Sequence, residues 1–231
     1  MLLIFTLFTL TFAKHVHLPS KALQNPDLFQ GDIIGIEDND VRNAVTNLSL
    51  RWKGWIVPYT IDRSLGNIRH LITIAMKHIN NAIGGCITFK QRQYEPDYIL
   101  FIKGIGCYSD IGRVRGEQHL SLGEGCEYVG TVVHEIVHAL GFYHEQSRSD
   151  RDNYLIIHWE NIEEGMLSLT DIVVYYDGFD LESIMLYGND DFSKDGKSLT
   201  MEAKSGIKLS SDKESLFPSD VFRIKMLYEC A

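Results

Sequence analysis

The spacing of apolar residues changes several times along the chain, and each change marks an element. Between residues 66 and 83, Ile68, Leu71, Ile72, Ala75, Ile79 and Ile83 recur every three or four positions. That spacing draws a single apolar stripe on a helix. Trp55–Ile61 is instead β-branched and aromatic, and Pro58 places it at an edge or at a strand start. Short apolar runs at Ile87–Phe89, Tyr98–Ile102 and His119–Leu122, each bounded by glycine or polar residues, predict further strands. A second helix is predicted over 128–140, ending at Gly141, and a last one near 219–228. After Asp150 the pattern loosens into short pieces, and there is no internal repeat.

The first 42 residues differ from the rest of the pattern. Met1–Ala13 is an unbroken apolar and hydroxyl run, shorter than the roughly 20 residues that span a bilayer. Thr11 and Ala13 ahead of polar Lys14 fit a cleaved signal peptide over 1–13. Residues 14–42 lack periodicity, carry the acidic cluster Glu37–Asp40, and end at Arg42, a site suited to a trypsin-like processing protease. With 231 residues the chain suits one domain plus short appendages. Its 45% hydrophobic content supports a sizeable core, and a formal net charge of -9 argues against nucleic acid or an anionic membrane as the main partner.

Cys86, Cys107, Cys126 and Cys230 form an even set with three possible pairings and no Cys-x-x-Cys spacing. In an exported chain they predict two disulfides rather than a cysteine metal site. Asn47-Leu48-Ser49 is an N-glycosylation acceptor.

The strongest chemistry lies in His134-Glu-Ile-Val-His-Ala-Leu-Gly-Phe-Tyr-His144. On a helix, His134 and His138 leave the same face one turn apart. Gly141 can end the helix in a left-handed conformation and let the chain turn to bring His144 back to the same ion. Three imidazoles leave a tetrahedral zinc one open position for water, the arrangement of a catalytic site. Glu135 stands beside that position as general base and then general acid, which is peptide-bond hydrolysis.

The stretch from His134 through Asp152, with Glu145, Arg148, Asp150 and Arg151 in place, resembles the signature of the astacins, a family of metzincin zinc peptidases. The resemblance runs from about Asn43 to Cys230 and implies a two-lobed α+β fold: an N-terminal twisted mixed sheet with two long helices, and a mostly irregular C-terminal lobe with a final helix. Ser183-Ile-Met-Leu-Tyr187 resembles the Met-turn. This implies that Met185 lies beneath the metal and that Tyr187 is an additional zinc ligand that swings away to assist catalysis. The same resemblance implies pairing of Cys86 with Cys230 and of Cys107 with Cys126. Phe29-Gln-Gly-Asp32 resembles the family's latency motif, which makes Asp32 the residue that blocks zinc in a zymogen. It also puts the start of the catalytic domain (43–231) at Asn43, whose freed amino group would fold in toward Glu145.

Position 186 is Leu where the family usually has His, position 137 is Val where Gly is frequent, and 168–182 matches poorly. The expectation is therefore a secreted, monomeric, single-domain zinc endopeptidase acting on protein or peptide substrates, holding one zinc and activated by a trypsin-like protease. Substrate would lie along an edge strand containing His119–Leu122. Leu186 and the irregular rim leave room for a catalytically dead binding protein, which intact Glu135 and Tyr187 oppose. Glu145 and Tyr187 also oppose a different metzincin branch.

Overall fold

The structure, a computed structural model, describes residues 20–35, 48–163 and 176–230. The predicted signal peptide, the predicted Arg42–Asn43 processing site, the Asn47 acceptor and residues 168–175 lie outside them. The first lobe is a six-stranded sheet with two helices packed on it. Its strands are β1 (Ile33–Ile34), β2 (Ile56–Ile61), β3 (Thr88–Gln91), β4 (Tyr98–Ile102), β5 (Cys107–Asp110) and β6 (Glu117–Leu122), in the order β1-β5-β6-β4-β2-β3. All neighbours run parallel except β5 and β6.

Helix α1 (Arg69–Ala82) buries Ile72, Ala75 and Ile79 of the predicted stripe and adds Met76, while Leu71 is half-buried. Helix α2 (Val129–Ala139) is buried on every side from Gly130 onward. A helix so enclosed needs apolar residues all round, and any polar side chain on it requires a partner. Trp52 locks its end, its indole N–H donating to the Ala139 carbonyl at 2.8 Å.

The sheet order corrects one expectation. Strand β6 pairs with both β4 and β5, so His119–Leu122 is not at an edge. The strand outside it is β5, which the apolar pattern did not reveal because Cys-Tyr-Ser-Asp has neither alternation nor an apolar run. The edge of β5 is taken by β1, with Ile33 opposite Ser109 and Ile34 opposite Asp110 in parallel register.

The second lobe has a two-stranded antiparallel ribbon, β7 (Leu155–Ile157) with β8 (Met201–Ala203), and then α3 (Pro218–Leu227). Its small core gathers Leu155, Ile162, Leu186, Tyr187, Phe192, Met201, Ala203 and Leu209. Leu186 is 2% exposed within that cluster, so an apolar side chain at this Met-turn position is absorbed by packing. Cys86 is bonded to Cys230 and Cys107 to Cys126. The first bridge ties the segment after α1 to the segment after α3; the second ties β5 to the loop before α2. Among the described residues no helix is long and apolar enough to cross a membrane.

Candidate metal centre and active site

Helix α2 presents His134 and His138 one turn apart. Gly141, at φ +112, reverses the chain, and His144 returns to them. The three Nε2 atoms lie 3.1–3.2 Å from one another. Each ring's other nitrogen meets an acceptor: His134 Nδ1 the Ile184 carbonyl at 2.9 Å, His138 Nδ1 the Phe142 carbonyl at 2.7 Å, and His144 Nδ1 the Gln30 side-chain oxygen at 2.8 Å. An N–H donated to those acceptors leaves each Nε2 as a lone pair. Burial, the leading cause in both cases, also lowers the basicity of His138 and His144, the latter to a pKa of about 3.

Three lone pairs converging in a dry site repel unless a cation sits among them. Their spacing is close to the edge, about 3.3 Å, of a tetrahedron with metal–nitrogen bonds of about 2.0 Å. Asp32 supplies the fourth corner: its Oδ2 is 3.2 Å from both His134 and His144 Nε2, and its Oδ1 is 3.6 Å from His138 Nε2. All four residues are buried and their ligand atoms lie within 4.8 Å of one another. The donor set of three imidazoles and a carboxylate fits one zinc ion.

Glu135, next to the first ligand, is fully buried, and neither carboxylate oxygen has a hydrogen-bond partner among the described residues. Burial, reinforced by the Asp32 charge, raises its pKa well above the usual carboxylate range. An orphaned buried carboxylate of this kind marks a place for a polar molecule.

The residues around Asp32 hold it in place. Ser109 of β5 donates its N–H to the Asp32 carbonyl at 2.9 Å. Gly31 turns the chain at φ +87, where a Cβ would lie 2.5 Å from the Phe192 ring and 2.6 Å from the Leu23 carbonyl oxygen. The Tyr187 hydroxyl donates to the Gln30 carbonyl and lies 3.1 Å from His144 Nδ1. It is thus engaged behind the ligand ring. Met185 is 3% exposed, and its carbonyl accepts the Glu145 N–H at 2.9 Å.

Asp220 and the partners of Glu145 escaped sequence reading. Asp220 of α3 accepts from the Ser183 hydroxyl at 2.6 Å, the Ile184 N–H at 3.0 Å and the Phe217 N–H at 2.9 Å, fastening the Met-turn to the last helix. Glu145 accepts from both terminal nitrogens of Arg223 at 2.8 and 2.9 Å, from Arg148 at 3.2 Å and from the Asp180 N–H at 2.8 Å. Apart from the Phe217 and Arg148 contacts, three residues away, the partners lie 35–78 residues apart along the chain, which leaves no local signal of the pairing.

Fold and site together define a buried three-histidine metal centre with an adjacent free carboxylate, the arrangement of a hydrolytic zinc protein. The family model described as Astacin, a peptidase family, matches residues 44–229, and the chain belongs to that family. It is 35% identical over 223 residues to zinc metalloproteinase nas-6 of Caenorhabditis elegans, covering 90% of this chain and 64% of nas-6. It is 36% identical over 218 residues to astacin-like metalloprotease toxin 2 of Loxosceles intermedia, covering 88% of this chain and 83% of the toxin. Among solved structures it is similar to high choriolytic enzyme 1, a hatching enzyme zinc-protease from the medaka fish Oryzias latipes. That match has a TM-score of 0.72 and 35% identity, and covers 78% of this chain and 94% of that one. The chain spans 64% of the length of nas-6 and 52% of that of nas-13.

Proposed function

We propose that this chain is the latent form of a secreted zinc endopeptidase that hydrolyses peptide bonds in protein substrates. The observation that carries the proposal is the convergence of three Nε2 lone pairs and the Asp32 carboxylate beside Glu135, which has no hydrogen-bond partner among the described residues. Zinc bound there supplies Lewis acidity, polarising a substrate carbonyl and lowering the pKa of a water it binds.

His134, His138 and His144 hold the ion as neutral imidazoles whose orientation is fixed by carbonyl and amide oxygens. Asp32 occupies the remaining corner and keeps substrate and water out until the pro-segment leaves. Glu135 then accepts a proton at its carboxylate and returns it to the leaving amine. Tyr187, released from the Gln30 carbonyl, donates its hydroxyl toward the developing oxyanion. Met185 packs under the ligands and positions them.

Processing after Arg42 by a trypsin-like protease removes the segment that carries Asp32, and the amino group freed at Asn43 folds toward Glu145. Export through the 1–13 leader agrees with two disulfides and with an acceptor at Asn47. The processed protein, incubated with a denatured protein substrate, is expected to cleave it, and a zinc chelator is expected to stop the cleavage. Cleavage that is absent, or indifferent to the chelator, would overturn the reading.

A further inference from the structure

The pro-segment makes a second polar contact with the cleft, away from the metal. The half-buried Gln24 closes one side of a recess lined also by His134, Leu186, Tyr187, Phe192 and Ser211, around a void of about 20 Å³, room for about one water. Its Nε2 donates to Asp191 Oδ1 at 3.1 Å, and its Oε1 accepts the Phe192 backbone N–H at 3.2 Å. Both ends of a primary amide are thus read. Asp191 is itself built in: it is 5% exposed, its Oδ2 accepts the Gly188 N–H at 2.7 Å, and its carbonyl accepts the Thr200 hydroxyl at 2.7 Å.

When the pro-segment leaves, Asp191 Oδ1 and the Phe192 N–H lose these partners while the walls of the recess, next to ligand His134, remain. The geometry points to Asp191 as a specificity-determining residue, with the Phe192 N–H beside it, selecting a substrate side chain that ends in a carboxamide, glutamine or asparagine, for the recess that Gln24 closes on one side in the latent chain. A carboxylate of the same shape would face Asp191 with like charge and no donor. A lysine would satisfy Asp191 and leave the Phe192 N–H unpaired. An aliphatic side chain would leave both unpaired, and a buried polar group left without a partner is what rejects a near-isostere most strongly.

This inference rests on the proposed peptidase activity for its substrate, so two readouts separate the claims. In the first, processed protein loaded with zinc is assayed on peptides that differ only in placing Gln, Glu, Lys or Leu at one position flanking the scissile bond. Gln is expected to exceed isosteric Glu in kcat/KM by at least about tenfold at one such position. Asp191→Asn, whose side chain can also donate, is expected to erase that ratio, and Asp191→Ala to reduce it to within about twofold. An unchanged ratio in both variants, or no Gln preference at any position, overturns the proposal.

In the second, calorimetry measures binding of a synthetic peptide of residues 20–35 to the processed protein. Gln24→Glu in that peptide is expected to weaken binding at least about tenfold. Equal affinity overturns the proposal whatever the activity, whereas intact peptide discrimination with no chelator-sensitive cleavage overturns the peptidase reading alone.

Discussion

If latency depends on the tight turn that aims Asp32 at the three histidines, adding one methyl group at Gly31 should release it. Gly31 sits at φ +87, and a Cβ there would meet the Phe192 ring at 2.5 Å and the Leu23 carbonyl oxygen at 2.6 Å. Neither can yield cheaply, since Phe192 is 2% exposed in the core of the second lobe and the Leu23 atom is backbone. The left-handed conformation costs alanine about 1–2 kcal/mol, and overpacking a fixed site costs about 1–3 kcal/mol. The docked pro-segment therefore loses about 2–5 kcal/mol relative to the undocked one. At about 1.4 kcal/mol per factor of ten, the open fraction rises by roughly 30-fold or more.

The assay is peptide hydrolysis by uncleaved chain, with Arg42→Ala in every sample to prevent processing and processed protein as the reference. Gly84→Ala serves as control, because Gly84 lies at φ +72 with nothing within 4 Å of its would-be Cβ. That control carries the conformational cost without touching the pro-segment, and its latency should match the parent. A folded Gly31→Ala chain as silent as the parent would refute the reasoning.

Three further outcomes follow from the same geometry. Asp220→Ala strips the acceptor from three donors, so it should destabilise the chain by about 3 kcal/mol in denaturant titration; a loss under about 1 kcal/mol would contradict its role under the Met-turn. The Cys86–Cys230 bridge closes a separation of 144 residues and the Cys107–Cys126 bridge one of 19, so replacing the first pair by serine should cost more, about 4–5 against about 3 kcal/mol in the chain-entropy picture; the reverse order by denaturant midpoint would count against that picture. Burial raises the Asp191 pKa from 3.8 to about 6, so its contribution to stability is fully present below 3.8 and lost as pH rises through 6; Asp191→Asn should flatten the stability profile over that window, and an unaltered slope by thermal melts would dispose of the idea.

The parts of this site that sequence revealed are those whose partners are close along the chain. His134 and His138 follow from the helical period, and His144 follows from one glycine that ends the helix. The α1 stripe was legible for the same reason: burial on one face imposes spacing on the sequence. What escaped was set by distant partners. Strand β5 carries its pairing in backbone hydrogen bonds, which leave no mark on Cys-Tyr-Ser-Asp, so β6 looked like the edge when β5 and β1 lie outside it. Asp220, Arg223 and Asp191 carry no local signal of their burial, which the fold imposes. Tyr187 and Asp32 were singled out by family resemblance alone, since a tyrosine in an apolar run and an aspartate in a polar one give no local sign of meeting the same histidine.

The central claim, that three histidines hold a zinc ion whose hydrolytic use depends on Glu135, is tested most directly by pairing metal content with cleavage in Glu135→Ala. Processed Glu135→Ala protein should retain one zinc per chain, as the parent does, because Glu135 is not a ligand, and should show no measurable cleavage of denatured protein. Parent-like cleavage by the zinc-loaded variant would contradict the account.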